Sequence, residues 1–75
     1  MATNDTTEIE WRAVASSNIA RVGRLGRALY IEFQDGSTYV YAGAAMDFDA
    51  LVSAKSPGGW FYRHIKGIFP AERIS

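Results

Sequence analysis

The sequence predicts an α+β fold in which a small antiparallel sheet of three strands is followed by two short helices. Residues 28–42 contain two runs rich in β-branched and aromatic side chains on either side of Asp35-Gly36, which is the pattern of a β-hairpin. After Gly43 the apolar residues recur at intervals of three and four, which is the period of a helix. Because the strands precede the helices, we expect the helices to pack on one side of the sheet.

The chain is long enough for one domain. Its 75 residues lie near the lower end of the size range of domains. Residues 1–8 are polar and have no period, so we predict a disordered tail there and a single domain over residues 9–75.

Strand signals ahead of the hairpin are weaker. Residues 9–14 alternate only faintly, and a turn-forming segment follows at residues 16–18. Residues 19–22 can begin a strand, which Gly23 and Gly26 are expected to interrupt with a turn or a bulge.

Two registers of the hairpin stay open, and they place two tyrosines on opposite faces. A two-residue type I′ turn pairs Gln34 with Ser37, and the face away from the aliphatic residues then carries Tyr30, Tyr39 and Tyr41. A three-residue loop with a bulge at Gly36 pairs Phe33 with Ser37, and one face then carries Leu29, Ile31, Phe33, Tyr39 and Tyr41. A shift of one residue therefore decides whether Tyr39 and Tyr41 lie at the surface or in the core.

The two predicted helices cover residues 45–54 and 57–66. The apolar residues that share a face of the first helix are Phe48, Leu51 and Val52. The second helix has Ser56 as its N-cap and Pro57 at its first position, and Gly67 is placed to end it. An extended tail is expected after it.

Composition excludes several classes of protein. The chain has no cysteine, so it can form neither a disulfide nor a thiolate zinc site, and its single histidine argues against a metal site. It has no apolar run of about 18 residues, and its first ten residues lack the basic start and the apolar run of a signal peptide. We therefore expect a cytoplasmic protein with no membrane association, no metal and no cofactor.

The formal charge of zero is the sum of four blocks of alternating sign. Residues 1–10 carry −3 and residues 28–54 carry −4, whereas residues 11–27 carry +4 and residues 55–75 carry +3. If folding brings the two basic segments together, a neutral chain can present a cationic face. The competing interpretation is that these charges are tolerated at the surface without a common function.

A set of short motifs along the chain is shared with one known family. The motifs are Ser16-Ser17-Asn18-Ile19, Val22-Gly23, Leu29-x-Ile31-x-Phe33, Gly36-Ser37, Tyr39-x-Tyr41, Leu51 with Ala54-x-Ser56, Gly59-x-Phe61, Ile65-Lys66 and Arg73-Ile74. In order and spacing this set resembles the KTSC domain family over residues 14–74. Two positions depart from the family pattern, namely Arg24 where an aromatic residue is frequent and Tyr62 where a polar residue is common.

The resemblance implies a small domain with no catalytic residues to transfer. The family is named for a domain at the C-terminus of some lysyl-tRNA synthetases, and it also occurs as short single-domain proteins of bacteria and phages. The association with a synthetase suggests RNA binding.

The residues themselves also argue against catalysis. His64 is the only imidazole, and Trp60 lies one helical turn before it. Asp47 and Asp49 suit the start of a helix better than paired-carboxylate chemistry. The sequence has no phosphate-binding loop, nucleophile elbow or dinucleotide fingerprint. We therefore predict that the protein is not an enzyme.

Aromatic rings and cationic groups are what a site for single-stranded nucleic acid requires. The first hypothesis is a non-enzymatic domain that binds RNA or another nucleic acid through a tyrosine-bearing sheet and a basic helix. The predicted ligand-binding residues are Tyr39, Tyr41, Arg24, Trp60, Arg63, Lys66 and Arg73. The competing interpretation of the two tyrosines is a buried strand face.

Two other functions stay open. Gly58 and Gly59 at a helix start, close to Trp60 and Tyr62, suit a small nucleotide-type ligand, as in a phage protein that sequesters a signal nucleotide. Alternatively, the glycines only allow a tight turn and the domain is a protein-interaction or architectural module. So small a chain is also a candidate homodimer, in which the interface could hold the ligand.

Overall fold

Within residues 9–75, the domain is a five-stranded antiparallel sheet with helices between the fourth and fifth strands. The structure, a computed structural model, describes residues 9–75. The strands follow one another across the sheet in chain order: β1 (Glu10–Ala13), β2 (Ile19–Leu25), β3 (Ala28–Phe33), β4 (Thr38–Tyr41) and β5 (Ala71–Arg73). A 3-10 helix (Ala44–Asp47), α1 (Phe48–Ser53) and α2 (Pro57–His64) connect β4 to β5. The α+β class is confirmed, whereas the predicted disordered tail, residues 1–8, lies outside the described residues.

The predicted count of three strands is wrong, because both weak segments at the ends of the chain pair with a neighbour. Trp11 in β1 pairs with Gly23 in β2, where a Cβ would lie 2.9 Å from the indole. Gly23 therefore leaves space for the Trp11 ring and does not interrupt the strand. The turn comes later, at Gly26 (φ +61°). In the tail, Arg73 pairs with Tyr39, which makes β5 an edge strand.

The hairpin adopts the three-residue loop. The Phe33 N–H donates to the Ser37 carbonyl at 2.8 Å, and Gly36 has a φ of +93°. The Asp35 carboxylate accepts hydrogen bonds from the Ser37 N–H and hydroxyl at 2.9 and 2.7 Å, and these bonds lower the pKa of Asp35. As a result Tyr39 faces Ile31 across the strands, and the two tyrosines of β4 lie on the inner face of the sheet.

The helices cover that inner face and form the core with it. The buried residues of the sheet and helices that make up this core are Ile19, Val22, Leu29, Ile31, Tyr41, Ala44, Phe48, Leu51, Phe61 and Ile65. The other face of the sheet carries Trp11 and Tyr30, whose ring centroids are 6.3 Å apart.

Both helices are shorter than predicted. The first begins as a 3-10 helix held by a hydrogen bond from the Ala45 N–H to the Arg27 carbonyl, and only Phe48–Ser53 is α-helical. The second begins as predicted with Ser56 as N-cap and ends at His64, two residues early. None of the helices within residues 9–75 is long and apolar enough to cross a bilayer.

Candidate ligand-binding site

The start of α2 lies directly against the turn between β1 and β2. In that turn the Ser16 hydroxyl donates to Asn18 Oδ1 at 3.0 Å and accepts from the Ile19 N–H at 3.1 Å, which fixes the Asn18 side chain. A Cβ on Gly58 would lie 2.6 Å from Asn18 Oδ1. Only glycine at position 58 therefore allows this close approach of the turn and the helix.

The gap beside this contact is an open cleft of about 630 Å³, which we call the α2 cleft. Its lining residues are Ala15, Ser16, Ser17, Asn18, Lys55, Ser56, Pro57, Gly58, Gly59, Tyr62 and Arg63. Two of them are cationic and none is acidic. Arg63 Nη1 lies 3.3 Å from the point where a Cβ on Gly59 would stand, so the guanidinium folds back over the first turn of α2.

A second concavity of about 430 Å³, the aromatic groove, lies between the sheet and the other side of α2. Its lining residues are Asn18, Phe33, Tyr39, Tyr41, Phe61, Tyr62, Lys66, Gly67 and Ala71. Lys66 is the only charged one, and its ammonium lies 5.5 Å from the centroid of the Tyr62 ring. The groove shares Asn18 and Tyr62 with the α2 cleft, so the two concavities adjoin.

The rings of Tyr39 and Tyr41 do not form an open platform. Tyr41 is 5% exposed and packs edge-on against Phe61 with centroids 5.4 Å apart, and Tyr39 is half-buried against Phe33 at 5.9 Å. Burial, with a smaller contribution from Tyr39, raises the pKa of Tyr41. The tyrosines therefore form part of the core and offer the aromatic groove only a wall.

Four other predicted site residues lie in different places. Arg63 lines the α2 cleft and Lys66 lines the aromatic groove. Arg24 lies at the other side of the core, where it binds Glu10 at 2.8 Å and covers the Phe48 ring at 4.4 Å. Trp60 packs against the core and stacks on His64 with centroids 4.3 Å apart.

Arg73, the last predicted site residue, lies on the edge strand β5. Its Nε donates to the Ser75 carbonyl at 2.9 Å, and it lines neither concavity. The structure thus brings Tyr39, Tyr41 and Lys66 to one groove and Arg63 to the adjoining cleft.

The predicted site residues do not include Asn18 and Lys55, which line the cleft. From the sequence, Asn18 belongs to a turn and Lys55 is one charge of a basic segment. The cleft depends on the contact between Asn18 and Gly58, which are 40 residues apart in sequence. The one local signal was the Gly58-Gly59 pair, because glycines at a helix start can allow another segment to approach closely.

The fold and these two concavities define a small single-domain α+β protein with a mixed cationic and aromatic surface along α2. The sequence model of the KTSC domain matches residues 15–69. The crystal structure of a KTSC domain protein from Yersinia pestis is 34% identical, with 89% of this chain and 99% of that chain covered and a TM-score of 0.80. The chain therefore belongs to the KTSC domain family, as the motifs predicted. A search of proteins with curated functions gives no significant match.

Proposed function

We propose that this domain is a non-enzymatic binding module that holds a phosphate-bearing ligand, either a free nucleotide or single-stranded RNA, in the α2 cleft. The observation that supports it is the lining of the cleft, in which Lys55 and Arg63 have no acidic neighbour. Two cations at the opening of a concave site attract and orient a phosphate group.

The charges of the cleft are available to a ligand. Within residues 9–75, no carboxylate lies within ion-pair distance of Lys55 or Arg63. The start of α2 adds the positive end of its dipole to the same place. Some backbone N–H groups of the first turn of α2 already have partners. The Gly59 N–H donates to the Ser56 hydroxyl and the Trp60 N–H donates to the Ser56 carbonyl, and Pro57 has no N–H.

The position of His64 supports a role in binding over one in catalysis. Its imidazole stacks on Trp60 and lies in neither the cleft nor the groove. The side chains that line the cleft include no histidine and no carboxylate.

Exposed Tyr62 favours a ligand that carries a base beside its phosphate. Its side chain is 68% exposed and lies between the cleft and the groove. An exposed aromatic ring beside cationic groups is the arrangement that stacks unpaired bases. The RNA hypothesis therefore rests on α2 and no longer on the sheet.

The test is a binding titration with Arg63→Gln and with Arg27→Gln as its control. Arg27 is an exposed arginine that lines neither the α2 cleft nor the aromatic groove, and both variants remove one charge from the protein. Loss of one charged phosphate contact should weaken binding of uridine 5′-monophosphate by about tenfold or more in Arg63→Gln and leave Arg27→Gln near wild type. Equal weakening in both variants would show nonspecific attraction and would contradict a cleft site.

A parallel series separates the two ligand sources. If RNA is the ligand, a single-stranded hexanucleotide should bind more tightly than the mononucleotide and lose affinity steeply with salt. If a free nucleotide is the ligand, the hexanucleotide should bind no more tightly than the mononucleotide. If the protein binds neither ligand, the hypothesis of a protein-interaction or architectural module is favoured. Sedimentation of the same samples would test the predicted homodimer.

A further inference from the structure

We propose that the aromatic groove is the base subsite of the ligand whose phosphate the α2 cleft holds. This inference rests on the proposed function and adds to it the part of the ligand that the second concavity recognises. The recognised unit is then one nucleotide, which crosses Tyr62 from the cationic cleft to the aromatic groove.

The two concavities are positioned to receive connected parts of one molecule. Asn18 and Tyr62 line both of them, so no wall of other residues separates them. Their polarity also changes across this boundary, because the cleft contains two cations and the groove contains four aromatic rings of the sheet and α2 besides Tyr62. A nucleotide has the same change of polarity, from a charged phosphate to a flat base.

The groove has the size and walls of a subsite for a flat ring. Its volume of about 430 Å³ lies within the range of small-molecule sites, roughly 300–1,000 Å³. Tyr39 and Tyr41 lie side by side with ring centroids 6.5 Å apart and form one wall, and the exposed ring of Tyr62 also lines the groove. Lys66 is held over the Tyr62 ring, which keeps a positive charge next to the opening.

A polar group that could orient a base lines the groove. Asn18 Oδ1 is occupied by the Ser16 hydroxyl at 3.0 Å, which leaves the Asn18 amide N–H groups to donate to a ligand carbonyl or ring nitrogen.

The experiment compares ribose 5-phosphate with uridine 5′-monophosphate and adenosine 5′-monophosphate, which add only the base. In the wild-type protein the base should tighten binding by about fivefold to a hundredfold, the range of one stacked base. Tyr62→Ala, a change at an exposed side chain, should remove most of this gain, so that this variant binds the nucleotides little more tightly than it binds ribose 5-phosphate. Tyr39→Leu should also reduce the gain, because it removes a ring from the wall of the groove.

The matched control is Tyr30→Leu, which removes a tyrosine ring from the opposite face of the sheet and should leave the gain from the base intact. If ribose 5-phosphate binds as tightly as the nucleotides, the base subsite is overturned and the phosphate site stands. If the gain survives in both Tyr62→Ala and Tyr39→Leu, the base lies elsewhere and the inference is wrong. If none of the three ligands binds at low salt, the proposed function itself fails.

Discussion

The arginines of β1 and β2 lie beside carboxylates, whereas the basic residues around α2 lie beside glycines, an amide and a tyrosine. In the first group, Arg24 binds Glu10 at 2.8 Å, and Arg12 lies 3.4 Å from the same carboxylate. Arg21 binds Glu32 and also covers the Trp11 ring at 3.9 Å. Two carboxylates and two aromatic rings thus occupy the guanidinium groups of this region.

The second group has no such partners. Within the described part of the chain, none of Lys55, Arg63 and Lys66 forms an ion pair, and the Lys66 ammonium lies 5.5 Å from the centroid of the Tyr62 ring. The arginines of β1 and β2 and the basic residues around α2 therefore differ in the charge they leave to a ligand. The number of basic residues in a segment does not predict how much charge is left to a ligand, because the pairing of charges depends on which strands become neighbours.

The largest expected effect concerns the ring beneath Arg24. Phe48 is fully buried, so Phe48→Ala should lower the free energy of unfolding by about 3–5 kcal/mol. Urea denaturation should show a lower midpoint with an unchanged slope, and Phe48→Leu should lose much less. A loss below about 1 kcal/mol in Phe48→Ala would mean that the arginine region does not rest on the core as the structure shows.

A smaller effect compares the two arginine environments directly. Arg21→Gln removes the bond to Glu32 and the contact with Trp11, and should cost about 1 kcal/mol of stability. Arg63→Gln removes the same charge without loss of an ion-pair partner, so its free energy of unfolding should stay within about 0.5 kcal/mol of the wild-type value. Equal costs in urea denaturation would remove the distinction between the two regions.

The sequence predicted the parts of the fold that depend on local signals. Ser56 and Pro57 start α2 as expected, and Gly36 forms one of the two loops that its neighbours allow. The prediction from sequence failed where the formation of a strand depends on a pairing partner elsewhere in the chain. Residues 10–13 become a strand because Gly23 accepts the Trp11 ring, and residues 71–73 become one because the free edge of β4 is within reach.

The same distinction holds for the candidate site. Local pattern predicted Arg63 and Lys66 as candidates, and the structure places Arg63 in α2 and Lys66 two residues beyond its end. The local pattern could not show which face of the hairpin carries Tyr39 and Tyr41. A one-residue change in register moves both rings between solvent and core, and the loop that forms has placed them inward. The contact between Asn18 and Gly58 joins distant segments, so no short window of sequence contains it.

The smallest expected effect is a dependence of stability on acidic pH that belongs to the paired region alone. The hydrogen bond from Arg24, with attraction from both arginines, holds the pKa of the Glu10 carboxyl below its ordinary value. The folded state therefore favours the ionised carboxylate, and this contribution is complete above the pKa of the unfolded chain and is lost as pH falls through the folded pKa. Thermal unfolding followed between about pH 6 and 3 should show a steeper fall for the wild type than for Glu10→Gln.

The slope of Arg63→Gln in the same series should match that of the wild type, because no carboxylate lines the α2 cleft. Asp35, whose pKa is lowered by hydrogen bonds from Ser37, contributes equally to all three proteins and cancels from their differences. High salt should reduce the difference between the wild type and Glu10→Gln, since both partners of the pair are exposed to solvent. Parallel curves for the wild type and Glu10→Gln at low salt would mean that Glu10 does not neutralise Arg12 and Arg24, and these two arginines would then be as available to a phosphate as the basic residues around α2.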